Sequence, residues 1–574
     1  MSIKKVKRFQ MACRQGLSRR SFVKYMAGAT IGGFGLLDAC GTPRRGTTWA
    51  SRRIGYQTDA SRSGRENQRP NVLFIICDDL NDYSGAFRGH PQVRTPNIDK
   101  LARSGVTFAN AHSNSPICSP SRNSLFTGVY THKSKDFGWT PHYKQPVLKH
   151  CKTLMEYFKE NGYHVVGTGK LLHHNLNSLW DEWGVKINNY GPFAYNGKEL
   201  VGHPSIPEPF RSIGAVDGSF APLSDVPTFP ENSEGPGKPG WIYSSDKKKH
   251  LNYIDENNRD LTPDEMHSEW AVRKIRELEN QDEPKPFFMG VGFVRPHTPL
   301  YAPKRFFDMF PIDEIDLSPI KEGDAEDCYY TTVYPLTRKG PRYYRLLKES
   351  YPDIETGLKH FLQAYLACIA FVDEQIGAVI DALNNSKFRD HTIIVFTSDH
   401  GWNMGEKEYL FKNSPWEEST RVPLIIRAPG ESKAGSEVDH PVSLIDIYPT
   451  LIDLCHLKGN TMKSDSGASI DGYSLRPFLR NPEFQDWDGP EGALTVLGAG
   501  VNKEDVLEQN YAYRTKSWRY ILYRNGAEEL YNHQTDPYEW NNLAADKEYA
   551  EKKQELKDQM MSIVRKDLTT IGES

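Results

Sequence analysis

Five short apolar runs constrain this chain more than any other feature: NVLFIIC (71–77), HVVGTG (164–169), PFFMGVGF (286–293), TIIVFTS (392–398) and VPLIIRAPG (422–430). Unbroken, largely β-branched runs of this length are the pattern of strands buried on both faces. Between them the spacing turns helical, in TPNIDKLARSG (95–105), TLMEYFKENGY (153–163) and SEWAVRKIRELEN (268–280). Within 360–383, Phe361, Tyr365, Cys368, Val372, Ile376, Val379 and Leu383 step by three and four, which predicts one long amphipathic helix. Strands alternating with helices imply an α/β fold: a large domain with a mainly parallel central sheet flanked by helices.

Two stretches break this rhythm. Residues 185–262 read as loops and 311–350 as irregular, Tyr- and Pro-rich chain, and insertions of that length are usually lids or specificity loops. After about 450 the pattern changes to short alternating runs, with a turn at Asn525-Gly526 and a charged helix over 546–566. This predicts a smaller C-terminal α+β subdomain with an antiparallel sheet, dividing the chain into a main domain at 70–450 and a second at 451–574.

The N-terminus reads as an address. Arg19 and Arg20 precede a short Gly- and Ala-rich apolar run, the form of a twin-arginine export signal. LLDAC (36–40) has the form of a lipoprotein cleavage box with Cys40 as the acylated residue, so 1–40 is set aside as signal and 41–69 as a polar tether. The expectation is a bacterial protein of the periplasm or cell surface, touching the membrane only through that lipid. With 38% hydrophobic and 25% charged residues and a net charge of −3, the chain is globular and has no basic field for nucleic acid. Its eight cysteines show no paired spacing, which speaks against a zinc ribbon or a disulfide scaffold.

The polar residues that follow the strands are the chemical signal. Asp78-Asp79 follow the first, Lys170 and His173 the second, His297 the third, and Asp399-His400 the fourth. Ligands of open parallel sheets bind at the carboxyl ends of strands. A lone Asp-Asp pair is most simply a turn or a cap, but carboxylates gathered from two strand ends suit a hard cation, Ca²⁺ before Mg²⁺. Lys170, His173, His297 and Lys412 around that cation would form a cationic pocket for sulfate or phosphate.

CSPSR followed by NSLFTG, with Cys118, Pro120, Ser121, Arg122, Leu125, Thr127 and Gly128, resembles the signature of the type I, formylglycine-dependent sulfatases. GKLLHH, RPHTPL and TSDHGW look most like the iduronate-2-sulfatase branch, and similar segments cover most of 71–430. The resemblance implies an alkaline-phosphatase-like fold and a Cys118 oxidised to formylglycine (3-oxoalanine) by a maturing enzyme. It further implies Ca²⁺ held by Asp78, Asp79, Asp399, His400 and the modified Cys118. Lys170, His297 and Lys412 would neutralise the sulfate, with His297 or Lys412 protonating the leaving sugar oxygen. His173 would take a proton from the hydrate, Arg122 would orient residue 118, and Trp402 would touch the sugar. The substrate expected is a sulfated polysaccharide or its oligosaccharides, with ulvan, carrageenan, fucoidan and glycosaminoglycans all open. Two other readings stand beside it: a phosphomonoester or phosphodiester hydrolase of the same superfamily, and a non-catalytic, calcium-dependent glycan-binding lipoprotein.

Overall fold

The structure is a computed structural model that describes residues 69–229, 237–244, 249–498 and 505–566. The export signal, Cys40 and nearly all of the tether lie outside the described residues.

Eight strands form the central sheet: β1 (Asn71–Asp78), β2 (Val106–Phe108), β3 (His164–Gly169), β4 (Glu182–Trp183), β5 (Phe287–Pro296), β6 (Thr392–Ser398), β7 (Leu424–Arg427) and β8 (Ser436–Val438). Their order is β8-β2-β7-β6-β1-β5-β3-β4. From β6 to β4 all neighbours run parallel, whereas β7 is antiparallel to both β6 and β2. The apolar run at 422–430 therefore contributes only Leu424–Arg427 to this sheet, because Arg421–Val422 pairs instead with Ala111–His112.

All eight residues of β1 are buried, and its alternation divides them between two cores. Leu73, Ile75 and Cys77 face one side, against α6 (Ile354–Asn384). Val72, Phe74 and Ile76 face the other, against Phe126 of α2 (Cys118–Thr127) and Leu154 and Phe158 of α3 (Leu154–Glu160). Burying each such side chain contributes roughly 1.5–3 kcal/mol. Helix starts follow local chemistry. α1 (Pro96–Ser104) has proline in its first turn, and Thr153 caps α3 through a reciprocal box with Glu156. α4 (Pro263–Glu279) begins five residues earlier than its apolar spacing predicts, because Thr262 and Glu265 form a second capping box ahead of it.

Both insertions hold more regular structure than the loops expected of them. Residues 185–262 fold in part into a small three-stranded sheet of Phe193–Tyr195, Gly240–Ser244 and Lys249–His250. Within 311–350 lies α5 (Lys339–Ser350), whose hydrophobic face, Tyr343, Leu346 and Leu347, is buried. The C-terminal part contains an antiparallel sheet of β9 (Gly492–Leu497), β10 (Asn510–Thr515), β11 (Trp518–Leu522) and β12 (Glu528–Asn532). Gly526, at φ 83°, makes the β11–β12 turn after Asn525. α7 (Ala550–Lys566) buries Leu556, Met560 and Val564 on this sheet. The helix Ile447–Leu454 runs through the 450/451 boundary.

Candidate active site

The site is built where β1, β3, β5 and β6 end beside the start of α2. All ten residues of α2 are buried, although six of them are polar: Ser119, Ser121, Arg122, Asn123, Ser124 and Thr127. All but Ser119, whose Oγ has no hydrogen-bond partner among the described residues, are satisfied: Ser121 Oγ donates to Asp399 O at 2.6 Å, Asn123 Nδ2 to Asp136 Oδ2 at 2.7 Å, Ser124 Oγ to Val129 O at 2.8 Å and Thr127 Oγ1 to Asn123 O at 2.6 Å. Cys118 is the first residue of this helix and is 1% exposed, so the Pro- and Ser-rich stretch around it is no surface turn.

Arg122 ties the strand ends together. Its Nε donates to Asp399 Oδ2 at 2.7 Å, and its other nitrogens donate to Cys77 O at 3.1 Å, to Leu171 O at 3.0 Å and to Lys170 O. Lys170 Nζ in turn donates to Asp78 Oδ2, and Lys412 Nζ to Asp79 Oδ1 at 2.7 Å. Close approach of two strand ends places Lys170: its N–H donates to Gly292 O at 2.9 Å, where a Cβ on Gly169 would meet that oxygen at 1.9 Å.

Around the thiol, Lys412 Nζ lies 3.2 Å and His400 Nε2 3.3 Å from Cys118 Sγ. His400 Nδ1 is 3.1 Å from Gly401 O, and the backbone N–H of His400 donates to Asp399 Oδ1 at 3.0 Å. His297 Nε2 stands 3.7 Å from Asp79 Oδ2, with Nδ1 bonded to Thr298 O. Ligand atoms of Asp78, Cys118, Asp399 and His400 lie within 4.8 Å of one another, as do those of Asp78, Asp79, Cys118 and His297.

The electrostatics are those of charges held out of water. Burial pushes the Asp79 carboxyl up to about 8, against the pull of Lys412 and His400. For Asp78, burial acts in the same direction, but Lys170, His297 and Arg122 overcome it and hold the group well below the usual carboxylate range. Burial raises the Cys118 thiol and Asp78 adds to it, so the unmodified side chain is a neutral thiol rather than a thiolate. His173 is pushed down to about 3 by burial and by Lys170.

Two buried oxygens in this cluster, Asp78 Oδ1 and Asp79 Oδ2, accept no hydrogen bond. Orphaned carboxylate oxygens in a dry pocket are costly unless something binds them. With Asp399, they form an oxygen-rich donor set that fits a hard divalent cation.

A cavity of about 620 Å³ opens above the cluster. Cys118, His173, His297 and Lys412 line it; Lys170, Arg122, the three aspartates and His400 lie beneath its floor. Trp402 does not line it, which corrects the expectation that it touches the sugar. Its ring stacks on Phe361 at 6.1 Å and packs edge-on against Phe411 at 5.0 Å, in the core behind Lys412. The aromatic exposed at the mouth is Trp139, 51% accessible and 4.8 Å from the His173 ring. Asp217 from the first insertion and Arg338 and Lys339 from the second complete the wall. None of these four stands in a motif; an unpaired Trp soon after the signature helix was the one available hint.

The sequence profile of the sulfatase family matches residues 70–457, and a second, of the N-sulphoglucosamine sulphohydrolase C-terminal region, matches 405–566. The chain belongs to the sulfatase family. A sulfatase of Formosa agariphila is 33% identical over 501 residues, covering 86% of each chain. Iduronate 2-sulfatase of Mus musculus is 25% identical over 557 residues, covering 83% of this chain and 91% of its own. Among solved structures, BT4656, in complex with D-glucosamine-2-N,6-O-disulfate, superposes with a TM-score of 0.60 at 22% identity, covering 88% of this chain and 99% of its own. The fold is thus the alkaline-phosphatase-like one, and this sulfatase is a sulfuric ester hydrolase.

Proposed function

We propose that this sulfatase is an exported carbohydrate sulfatase that works through a formylglycine at position 118 and one Ca²⁺ held by Asp78, Asp79, Asp399, His400 and residue 118. The observation that carries the reading is the setting of Cys118. It is a buried neutral thiol at the first position of a helix, 3.2 Å from Lys412 and 3.3 Å from His400, beside carboxylate oxygens that accept no hydrogen bond. A thiol so placed is poorly nucleophilic, and the site makes chemical sense once it is converted.

As a hydrate, formylglycine would supply two hydroxyls: one attacks sulfur and its oxygen leaves with the sulfate, and the other gives up its proton and becomes the aldehyde oxygen as the C–O bond to sulfate breaks. The bound cation supplies charge: three carboxylates and three permanent cations, Arg122, Lys170 and Lys412, otherwise roughly cancel, and a divalent ion leaves the pocket positive for an anionic ester. Lys412, joined to both Asp79 and residue 118, holds the position of the attacking oxygen. His297 and Lys412 face the cavity where the departing sugar oxygen collects a proton. His173, neutral at ordinary pH and with Nδ1 unpartnered, takes the proton released when the aldehyde reforms. Arg122 keeps α2, Asp399 and two strand ends in register.

Carbohydrate as the substrate class is supported by the size of the cavity and by Trp139, whose exposed ring offers a stacking surface to a sugar face. Export rests on the paired Arg19 and Arg20 and on LLDAC, with Cys40 as the lipid site. The test is sulfate release from a panel of sulfated oligosaccharides by protein coexpressed with a maturing enzyme, alongside the mass of the peptide containing residue 118. Full activity in a preparation carrying only the thiol mass would refute the mechanism, and release from aryl sulfate alone would refute the carbohydrate assignment.

A further inference from the structure

Three permanent cations line the cavity, and two of them are already paired. Lys412 is bonded to Asp79 at 2.7 Å, and Lys339 to Asp217 at 2.8 Å. Asp217 also accepts from Tyr343 OH at 2.7 Å and from Thr298 Oγ1 at 2.8 Å, so both of its oxygens are already engaged. The third cation, Arg338, makes no ion pair and no side-chain hydrogen bond among the described residues. Its guanidinium carbon stands 3.9 Å from the centre of the Tyr334 ring. That ring is itself fixed: Tyr334 OH donates to Gly498 O at 2.9 Å and accepts from Asn510 Nδ2 at 2.6 Å. Tyr334 packs on Tyr330 at 4.6 Å, and Tyr330 on Tyr409, a residue of the cavity wall, at 5.3 Å.

A guanidinium propped on a rigid aromatic pile is preorganised, and its planar fork matches a carboxylate or a sulfate in two parallel hydrogen bonds. The charge of the scissile ester is met elsewhere, at the Lys412 end. We propose that Arg338 binds a second anionic group of the substrate, a carboxylate or a further sulfate carried by the sulfated sugar or its neighbour. The inference rests on the carbohydrate reading and sharpens it: the preferred substrate is a sulfated sugar that is anionic at two places, and a sugar charged only at the scissile ester leaves Arg338 desolvated without a partner.

The test uses the mature enzyme and three disaccharides with the scissile sulfate at one position: one with no other charge, one with a uronate carboxylate and one with a second sulfate. The wild-type kcat/KM for one of the doubly anionic sugars is expected to exceed that for the singly anionic one by about tenfold or more, the return of one charge-assisted pair. Whichever of the two shows the preference identifies the anion. In Arg338→Gln that ratio falls at least about tenfold, mainly through KM, and in Arg338→Lys, which keeps the charge without the fork, it falls part of the way. The wild-type ratio needs no variant to fold, and melting temperatures of both variants accompany the rest. A wild type that cleaves the singly anionic sugar as well as the others, or an Arg338→Gln enzyme that keeps the wild-type ratio, overturns the inference. Cleavage of aryl sulfate with no cleavage of any disaccharide overturns the carbohydrate reading itself, and this inference with it.

Discussion

Arg122 is a fully buried cation whose acceptors come from three strand ends: Cys77 O near the end of β1, Lys170 O and Leu171 O after β3, and Asp399 after β6. Lysine at this position keeps the charge but loses the fork, leaving several buried acceptors without donors. Arg122→Lys is expected to lose about 3–5 kcal/mol of stability in chemical denaturation, with sulfate release falling in parallel. Asp136 presents the opposite case. It is buried beside α2, has one donor in Asn123 and an Oδ1 with none, and burial pushes its carboxyl up from the usual 3.8 to about 7. A raised carboxyl favours folding while both states are protonated, and that contribution is lost as pH rises from about 4 through about 7. Asp136→Asn removes this titration while keeping the oxygen that meets Asn123. The difference in melting temperature, variant minus wild type, is therefore expected to grow more positive from pH 5 to pH 8, and a difference flat across that range counts against the raised carboxyl.

The elements differ in how legibly they were written. β1, β3, β5 and β6 are continuous apolar runs because helices cover both their faces, and such runs are readable directly. α2 is different: a helix buried on every side carries no amphipathic period, and Ser121 and Arg122 are tied to Asp399, more than 270 residues away in sequence. Only its resemblance to a known signature marked it. The strand-end residues Asp78, Asp79, Lys170, His297 and Asp399 were legible by position, whereas Trp139, Asp217, Arg338 and Lys339 come from irregular chain whose placement only tertiary packing decides. Trp402 misled for a related reason, since a Trp next to a metal-type motif can face the core as readily as the cavity. At the end of α2, Gly128 has φ 69°, and a Cβ there would meet Ile470 Cγ2 at 2.8 Å. Gly128→Ala is expected to cost about 1–2 kcal/mol from the left-handed backbone, more if Ile470 cannot shift, measured as a lower denaturation midpoint.

Across the whole molecule, the C-terminal sheet props the site from two directions. Val496 N–H donates to Asn114 O at 2.9 Å and Thr495 Oγ1 to Ser113 O at 2.7 Å, a few residues ahead of Cys118. On the other side, Arg519 bonds Glu417, Glu539 and Pro415 O, while Arg514 Nε reaches Glu417 Oε2 at 3.1 Å, just beyond Lys412. His533 and Glu539 close this buried network at 2.8 Å. Arg519→Ala takes one charged partner from each of two buried carboxylates, so it is expected to lower both stability, by about 3–5 kcal/mol, and kcat. A chain ending at 450 is expected to be insoluble or inactive, as judged by soluble yield and sulfate release.

The burial of α2 also sets a timetable. With Cys118 only 1% exposed and every residue of its helix enclosed, the folded protein offers a maturing enzyme nothing to grip. On the proposed reading, conversion of residue 118 belongs to the brief interval before the chain closes, and a molecule that folds first is stranded as an inert thiol form. Maturing enzyme added during synthesis is expected to yield the aldehyde mass, and the same enzyme added to folded, unconverted protein is expected to yield none.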